Sequence, residues 1–282
     1  MKRDVIRRKA IEPKSSADHE PDARDSGVQS VDRALSIIET LAEDDEGYRL
    51  SDLAIRTELS TSTVHRLLGT LENRRFVQFD RTESKWHVGA RAFTVGATFA
   101  RRRNFSAQAV PYLRKLRDLT RETANLAVVD DEFIVVLTRM ESREIMRSLT
   151  KVGGRVAMVA SGVGKAVLAT YSNEDVSAII HHHGMPRLTE KSVVRPGDLF
   201  KELEKIRRQG FAIDDEEACM GLRCIAAVVY NDCAEPLAAI SVSGMTSRLT
   251  DQRLPQLGRT VREVAAELTV ALGGVMPAAK DG

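Results

Sequence analysis

The composition of the chain restricts the kind of protein it is. Its 282 residues are 43% hydrophobic and carry a formal net charge of +2, which suits one large or two medium-sized domains and excludes binding to nucleic acid through bulk positive charge. No apolar run approaches the roughly 18 residues of a membrane helix, and the N-terminus lacks a signal-peptide core, so we expect no membrane partner. Three cysteines are too few and too odd for a disulfide framework, which favours the reducing cytoplasm.

The N-terminal part begins with a polar segment. Residues 1–26 mix charged residues, Pro and Ser without apolar periodicity, which predicts a disordered tail; residues 276–282 are assigned as a second tail. Val28–Ala42 has apolar residues at helical spacing and is predicted to form a helix. Apolar surface that this helix does not use in its own core would suit a second copy of the chain.

The pattern of residues 50–89 predicts a short helix, a tight turn, a second helix and a two-stranded ribbon. Ser51 is expected to cap the first helix, and either Ser60 or Thr61 the second. The buried face of the second helix has apolar residues at i, i+3, i+4 and i+7, which are Val64, Leu67, Leu68 and Leu71. This order is typical of a winged helix-turn-helix, a unit that reads duplex DNA, and we assign residues 27–90 to it.

The exposed face of the second helix and the predicted wing carry groups suited to DNA. Hydroxyl residues at a helix start suit close approach to phosphates and base edges, and arginine pairs with guanine or phosphate. Between Thr61 and Arg91 there are six Lys and Arg residues against three Asp and Glu residues, so positive charge is concentrated here. The candidate DNA-binding residues are Ser51, Thr61, Ser62, Thr63, His65, Arg66, Thr70, Arg81 and Lys85. The alternative is a helical packing module that binds no nucleic acid, against which the scarcity of acids on this face argues.

After a predicted connecting helix at 90–108, the pattern changes to mixed helices and strands. The further predicted helices are 111–123 (with Pro111 in its first turn), 161–170, 174–182, 198–209 and 255–272. The predicted strands are 125–129 and 133–139, joined by an acidic turn at 130–132, then a short strand that begins at Phe211 and is followed by Asp214, and finally 224–230 and 237–242. This order predicts an α+β protein with a sheet covered by helices. We assign residues 91–109 as a linker helix and 110–275 as a second domain.

Several sequence blocks in a fixed order resemble the IclR family of bacterial transcription regulators over roughly residues 27–275. The blocks are VQSVDRALSIIETL, LSDLAIRTELSTSTVHRLLGTLENRRFV, WHVG, ASGVGKAVLA, RRQGFAIDDEEACMGLRCIAAVV and ISVSG. The resemblance implies a winged helix-turn-helix, a linker helix and a C-terminal effector-binding domain with a GAF/PAS-like α/β fold. It also implies a homodimer, or a tetramer built as a dimer of dimers, on palindromic operator DNA. Glu58 departs from the family, which often has Gly there, so a left-handed residue or a reshaped turn is expected.

Polar groups from four blocks of the second half are expected to converge on a ligand. The segment 161–165 opens a helix whose unpaired amides suit a carboxylate, and Ser241 and Ser243, two apart on a strand, point to one face. In IclR relatives that sense glyoxylate or pyruvate, an Asp, a Cys, two Ser and amides of an SGxGK turn hold the ligand beside an apolar wall. The resemblance places these roles on Gly162, Val163, Asp214, Cys224, Ser241, Ser243, Met146 and Leu222. It implies a small carboxylate effector, with glyoxylate as the best candidate and a pocket sized for two- or three-carbon acids; a different acid, for example an aromatic one, is the alternative.

The sequence argues against three other functions. The GVGKA segment resembles a phosphate-binding loop, but Val159 stands where the first glycine is required, so no nucleotide cofactor is expected. The run His181–His183 and the cysteines lack metal-ligand spacing, so no metal is expected. Cys224 and Ser241 have no histidine nearby in sequence to act as a base. An enzyme that binds small acids and carries an appended helical module is therefore the less favoured alternative.

Overall fold

The computed structural model describes residues 28–102, 105–130, 133–142 and 151–277 and consists of two compact units, one ending at Thr98 and the other beginning at Phe99. The predicted tail 1–26 and most of the predicted tail 276–282 lie outside the described residues. Among the helices described, none combines the length and the apolar character needed to cross a membrane.

The N-terminal unit is the predicted winged helix-turn-helix. Its elements are α1 (Gln29–Ala42), α2 (Leu50–Arg56), α3 (Thr61–Asn73), β1 (Val77–Asp80), β2 (Lys85–Val88) and the beginning of α4 (Ala90–Arg102). The apolar faces of α1, α2 and α3 meet the antiparallel β1–β2 ribbon in one core that includes Ile37, Leu53, Val64, Leu68 and Trp86. The helical periodicity and the ribbon predicted from residues 50–89 are confirmed.

The caps of α2 and α3 differ from each other. The predicted cap at Ser51 is wrong: α2 begins at Leu50, two residues earlier than a cap at Ser51 implies. Arg49 occupies the cap position without a side-chain hydrogen bond, and the Ser51 hydroxyl donates to Asp52 within the first turn. Ser60 caps α3 by accepting a hydrogen bond from the Thr63 N–H at 3.3 Å. Glu58 has φ +54°, so the turn keeps the left-handed conformation without a glycine.

The predicted boundaries of the helix that contains Pro111 are wrong. Helix α4 is described up to Arg102 and α5 (Phe105–Thr120) from Phe105, well before Pro111; residues 103–104 lie outside the described part of the chain. The side chains of Phe105 and Ala109 are buried in the core of the second unit, so tertiary packing extends this helix toward its N-terminus and places the proline inside it. Arg121, with φ +62°, ends α5 before the predicted position.

The second unit is built on a six-stranded antiparallel sheet in the order β5-β4-β3-β8-β7-β6. The strands are β3 (Thr123–Asp130), β4 (Phe133–Met140), β5 (Arg155–Ala157), β6 (Ala212–Asp215), β7 (Leu222–Tyr230) and β8 (Pro236–Met245). The further helices are α6 (Gly162–Leu168), α7 (Asn173–His183), α8 (Pro196–Gln209) and α9 (Leu254–Ala271). Helices α5 and α9 cover one face of the sheet and α6, α7 and α8 the other, which confirms the predicted helix-covered α/β domain. Strand β5 was not predicted, and residues 131–132 of the predicted turn lie outside the described residues.

Candidate functional site

The candidate DNA-binding residues lie on α2, on α3 and on the β1–β2 wing of the N-terminal unit. Helix α3 buries Val64 and Leu68, which turns its other faces to solvent. Thr63 and Lys85 are half-buried. The remaining predicted residues are exposed, namely Ser51, Thr61, Ser62, His65, Arg66, Thr70 and Arg81.

A groove between α3 and the wing brings together Ser51, His65 and Arg81. Sequence reasoning missed Arg49, an exposed residue that lines the same groove from the start of α2. Its place immediately before the first helix of the predicted helix-turn-helix is the signal that could have identified it. Glu72 is the one carboxylate among the described residues that line this groove.

Several hydroxyl and charged groups of this surface are already hydrogen-bonded. The Ser60 hydroxyl lies 3.1 Å from that of Ser62 and 2.9 Å from that of Thr63, and Thr70 donates to the Arg66 carbonyl. Lys85 pairs with Glu83 at 3.3 Å. The exposed guanidinium groups of Arg49, Arg66 and Arg81 are therefore the groups best suited to phosphate or guanine, because their planar forks match those acceptors.

Strand register brings the polar residues predicted for ligand binding together in the second unit. Asp214 on β6 is directly opposite Cys224 on β7, Cys224 is opposite Ser243 on β8, and Ser241 is opposite Asn125 on β3. Directly paired residues point to the same face of a sheet. Asp214 lies within β6, and Cys224 lies two residues inside β7 rather than at its start.

Helix α6 begins on this cluster. The Ser161 hydroxyl accepts from the Gly164 N–H at 3.0 Å and caps the helix. A Cβ placed on Gly162 would lie 3.1 Å from the Cys224 carbonyl oxygen and 3.4 Å from the Asp214 nitrogen. The absence of a side chain at Gly162 therefore allows the start of α6 to rest directly on β6 and β7.

A cavity of about 440 Å³ opens beside these residues. Its polar lining consists of Asn125, Ser161, Asp214, Cys219, Cys224, Ser241 and Ser243 with the charged residues Arg155 and Arg223, and its apolar lining includes Ala127, Ile134, Val136, Val163 and Leu222. Six of the eight predicted effector-binding residues line it; Gly162 lies next to Cys224 and Asp214 without being part of the lining, and Met146 lies outside the described residues. Pockets of roughly 300–1,000 Å³ hold drug-sized ligands, so the cavity is larger than the predicted pocket for two- or three-carbon acids.

Asn125 is a buried residue of this cavity that sequence reasoning missed. Its Nδ2 donates to the Ser241 hydroxyl at 3.5 Å and to the Ser243 hydroxyl at 3.4 Å. These long bonds orient both serine oxygens toward the amide and leave the hydroxyl protons available to an acceptor in the cavity. An amide residue near the start of an otherwise apolar strand was the available signal.

Burial controls the protonation of Asp214 and Cys224 in the cavity wall. It raises the pKa of Asp214 to about 6, although the backbone N–H of Glu217, 2.8 Å from Oδ1, acts to lower it. Burial, together with the nearby Asp214 carboxylate, raises the pKa of Cys224 to about 11. Cys224 is therefore a thiol at neutral pH, which makes it a weak hydrogen-bond donor rather than a nucleophile.

A buried ion-pair network lies on α6 behind the cavity. Lys165 is fully buried; its Nζ donates to Glu202 Oε1 of α8 at 2.6 Å and to Glu217 Oε1. Burial lowers the pKa of Lys165, but the carboxylates of Glu202 and Glu217 outweigh it and the pKa is raised. This lysine is thus committed to an internal structural role, unlike the lysine of a phosphate-binding loop.

The histidine run forms the last turn of α7, and all three side chains are exposed. In the part of the chain that the structure describes, no three His, Cys, Asp or Glu side chains are placed to hold a metal ion.

Both units match known families and structures. The model of the IclR helix-turn-helix domain matches residues 30–81, and that of the bacterial transcriptional regulator IclR C-terminal domain matches residues 97–270. The acetate operon repressor of Salmonella typhimurium is 41% identical over 249 residues, and the transcriptional repressor IclR of Escherichia coli is 40% identical over 250 residues. Each alignment covers 88% of this chain and 91% of the relative. The crystal structure of an IclR homolog from Microbacterium hydrocarbonoxydans, complexed with 4-hydroxybenzoate, has a TM-score of 0.72 at 22% identity, over 87% of this chain and 99% of that chain.

Proposed function

The chain belongs to the IclR family of transcriptional regulators, which are DNA-binding proteins rather than enzymes, and we propose that it is a repressor or dual regulator whose operator binding is controlled by a small carboxylic acid. The observation that carries the proposal is the convergence of Asp214, Cys224, Ser241 and Ser243 on one cavity in a chain that also has a winged helix-turn-helix. Because its proposed partner is operator DNA, the proposed compartment is the cytoplasm.

On the DNA side, α3 is proposed to enter the major groove while the wing approaches the backbone or the minor groove. The arginines Arg49, Arg66 and Arg81 supply the charged contacts, and the hydroxyl residues at the start of α3 supply the closest approach. A single unit of this size contacts too few bases to be selective, whereas a two-fold pair reads two half-sites. We therefore propose a homodimer, or a dimer of dimers, on a palindromic operator. The exposed apolar side chains of α1, including Val31 and Leu35, suit such pairing.

On the effector side, the acid carboxylate is proposed to accept hydrogen bonds from the Ser241 and Ser243 hydroxyls and from the amides of Gly162 and Val163. Glyoxylate remains the best candidate, because Asp214 would accept a hydrogen bond from its hydrated carbonyl. A larger aromatic acid is the second candidate. The volume of the cavity and its apolar lining favour it, and the homolog from Microbacterium hydrocarbonoxydans is a relative complexed with 4-hydroxybenzoate.

Control of operator binding requires that the acid bind two conformations of the regulator with different affinity. The coupling free energy is typically about 1–3 kcal/mol, which corresponds to a roughly 5- to 150-fold change in operator affinity.

The test is a gel-shift titration with DNA upstream of the chain's own gene and of neighbouring genes, with and without glyoxylate or 4-hydroxybenzoate. We expect a retarded complex, and we expect the protein concentration that retards half of the DNA to change by roughly 5- to 150-fold when one of the acids is present. Failure to retard any of these fragments at moderate salt would contradict the proposed regulation of those genes. Retardation that neither acid changes would contradict the assigned effectors.

A further inference from the structure

The buried network behind the cavity has more negative than positive groups. Lys165 Nζ is shared by Glu202 and Glu217, so one ammonium faces two carboxylates. Glu202 is partly exposed, with 26% of its side chain accessible, whereas the Glu217 side chain is 6% accessible. Any excess negative charge is therefore least well solvated at Glu217.

The two oxygens of Glu217 have different surroundings. Oε1 accepts from Lys165 and, at 3.4 Å, from the Asp215 N–H. Oε2 is buried and has no hydrogen-bond partner among the described residues. An ionised carboxylate oxygen without a donor is costly to bury, and protonation removes that cost.

Glu217 is linked to the cavity wall by a single hydrogen bond. Its backbone N–H donates to Asp214 Oδ1 at 2.8 Å, and the Ala218 N–H donates to the same oxygen at 3.3 Å. Asp214 lines the cavity. Asp214 Oδ1 thus has two backbone donors, and Glu217 Oε1 has Lys165 and the Asp215 N–H, whereas Glu217 Oε2 has no donor among the described residues. A proton shared between the two carboxyl groups is therefore best placed on Glu217 Oε2.

Charged and titratable groups face Glu217 from each element that packs against it. Lys165 of α6 lowers the pKa of Glu217, whereas Glu202 of α8 and Asp214 of β6 raise it. Asp215 is paired with Arg223 of β7, and Glu216 with Lys191. Burial is the largest influence, and the pKa of Glu217 is raised to about 7. Cys224 of β7 is a neutral thiol, as described above.

An anionic ligand in the cavity adds a negative charge next to Asp214. Two arginines also line the cavity, but Arg223 is already paired with Asp215 and Asp251, and Arg155 is exposed to solvent. Charges in a protein interior interact far more strongly than in water, so the added negative charge acts on the buried carboxylates behind the wall. A proton added to Glu217 Oε2 cancels the charge that the ligand introduces and needs no rearrangement of Lys165.

We propose that binding of a carboxylate effector in this cavity is coupled to the uptake of one proton from solvent by Glu217. The inference rests on the proposed function and adds to it a residue that does not touch the ligand. Glu217 is a positioning and charge-balancing residue for the site. Above about pH 7, effector affinity falls by up to tenfold per pH unit, and in more acidic solution it levels off because Glu217 is already protonated.

The test has a ligand-free part and a ligand-bound part. In the ligand-free part, difference potentiometric titration compares the full-length protein with its Glu217→Gln variant. We expect the wild-type protein to release one proton more than the variant between about pH 6 and pH 8. The matched control is Glu216→Gln, which removes the adjacent acid; that carboxylate is hydrogen-bonded by Lys191, which holds its pKa low. Identical titration of wild type and Glu217→Gln in this range would overturn the proposal.

In the ligand-bound part, calorimetry with glyoxylate and with 4-hydroxybenzoate is performed in phosphate and in Tris, whose heats of ionisation differ. Heats that depend on the buffer for wild type and Glu216→Gln, but not for Glu217→Gln, support the proposal. Binding with buffer-independent heats in the wild type would overturn it while leaving the proposed function intact. Binding of neither acid would count against the assigned effectors, and the ligand-free titration would then decide whether Glu217 is the proton site.

Discussion

Removal of Lys165 is predicted to destabilise the second unit far more than removal of a lysine in an exposed pair. Lys165→Met keeps the side-chain length but leaves Glu202 and Glu217 facing each other without the ammonium that they share. Breaking a buried ion pair by removing one partner costs about 3–5 kcal/mol. Each kcal/mol lowers the melting temperature of a domain of this size by about 2–4 °C, so the predicted loss is roughly 6–20 °C.

The matched control is Lys115→Met in the same unit. Lys115 also pairs with a glutamate, Glu267, at 2.6 Å, but 46% of each side chain is exposed. Exposed pairs contribute about 0–1 kcal/mol, so this variant should melt within a few degrees of the wild type.

Thermal unfolding of both variants, followed by circular dichroism at neutral pH, measures the difference. A second melt at mildly acidic pH adds a check, because protonation of Glu217 should relieve part of the Lys165→Met defect. Equal losses for the two variants at neutral pH would refute the reasoning that burial of the Lys165 network determines its contribution.

Four other predictions concern the two sites and the packing of α6. Arg66→Ala should weaken operator binding by about 1–3 kcal/mol in an anisotropy titration without changing the melting temperature, because the side chain is exposed. Ser241→Ala combined with Ser243→Ala removes two hydrogen bonds to a charged ligand, each contributing about 1.5–3 kcal/mol, so calorimetry should show acid binding weakened at least 100-fold with operator binding retained. Gly164→Ala should unfold or strongly destabilise the second unit in a thermal melt, because its Cβ would lie 1.9 Å from the Met158 carbonyl oxygen. Because the pKa of Glu217 is raised, the folded state binds more protons than the unfolded state between about pH 4.5 and pH 7. The free energy of unfolding therefore falls as the pH rises through that range. Glu217→Gln should reduce this fall, measured as the midpoint of denaturant unfolding plotted against pH.

Local patterns were sufficient for the winged helix-turn-helix. Its helices bury residues at regular 3.6-residue spacing, and its strands pair through a short polar tip, so each signal lies within a few residues of sequence. The cap of α2 was the exception. Arg49 precedes the helix without capping it, and the apolar packing of Leu50 and Leu53 starts the helix before the residue with the better capping side chain.

The second unit was less accessible to sequence reasoning because its key contacts are distant in sequence. Asn125 meets Ser241 and Ser243 through strand pairing across more than 100 residues. Lys165 meets Glu202 and Glu217 through the packing of α6 against α8 and the end of β6. No short motif indicates such pairs, so the sequence does not predict the network behind the cavity. The four polar side chains that the resemblance assigns to the ligand do line the cavity.

The start of α5 shows how a local rule fails. Proline favours the first turn of a helix, and this rule predicts a helix that begins at Pro111. Burial of Phe105 and Ala109 against the sheet extends the helix by more than a turn, because packing of an apolar face outweighs a single missing N–H.

The central proposal is that the cavity of the second unit and the proposed operator-binding surface are energetically coupled, and reciprocity gives the most direct test of it. If an acid changes operator affinity by a given factor, operator DNA must change the affinity of the acid by the same factor. The decisive measurement is calorimetric titration of the acid into the full-length protein, alone and saturated with operator DNA. The account predicts acid dissociation constants that differ by the factor found in the operator titration; equal dissociation constants in the two titrations would contradict it.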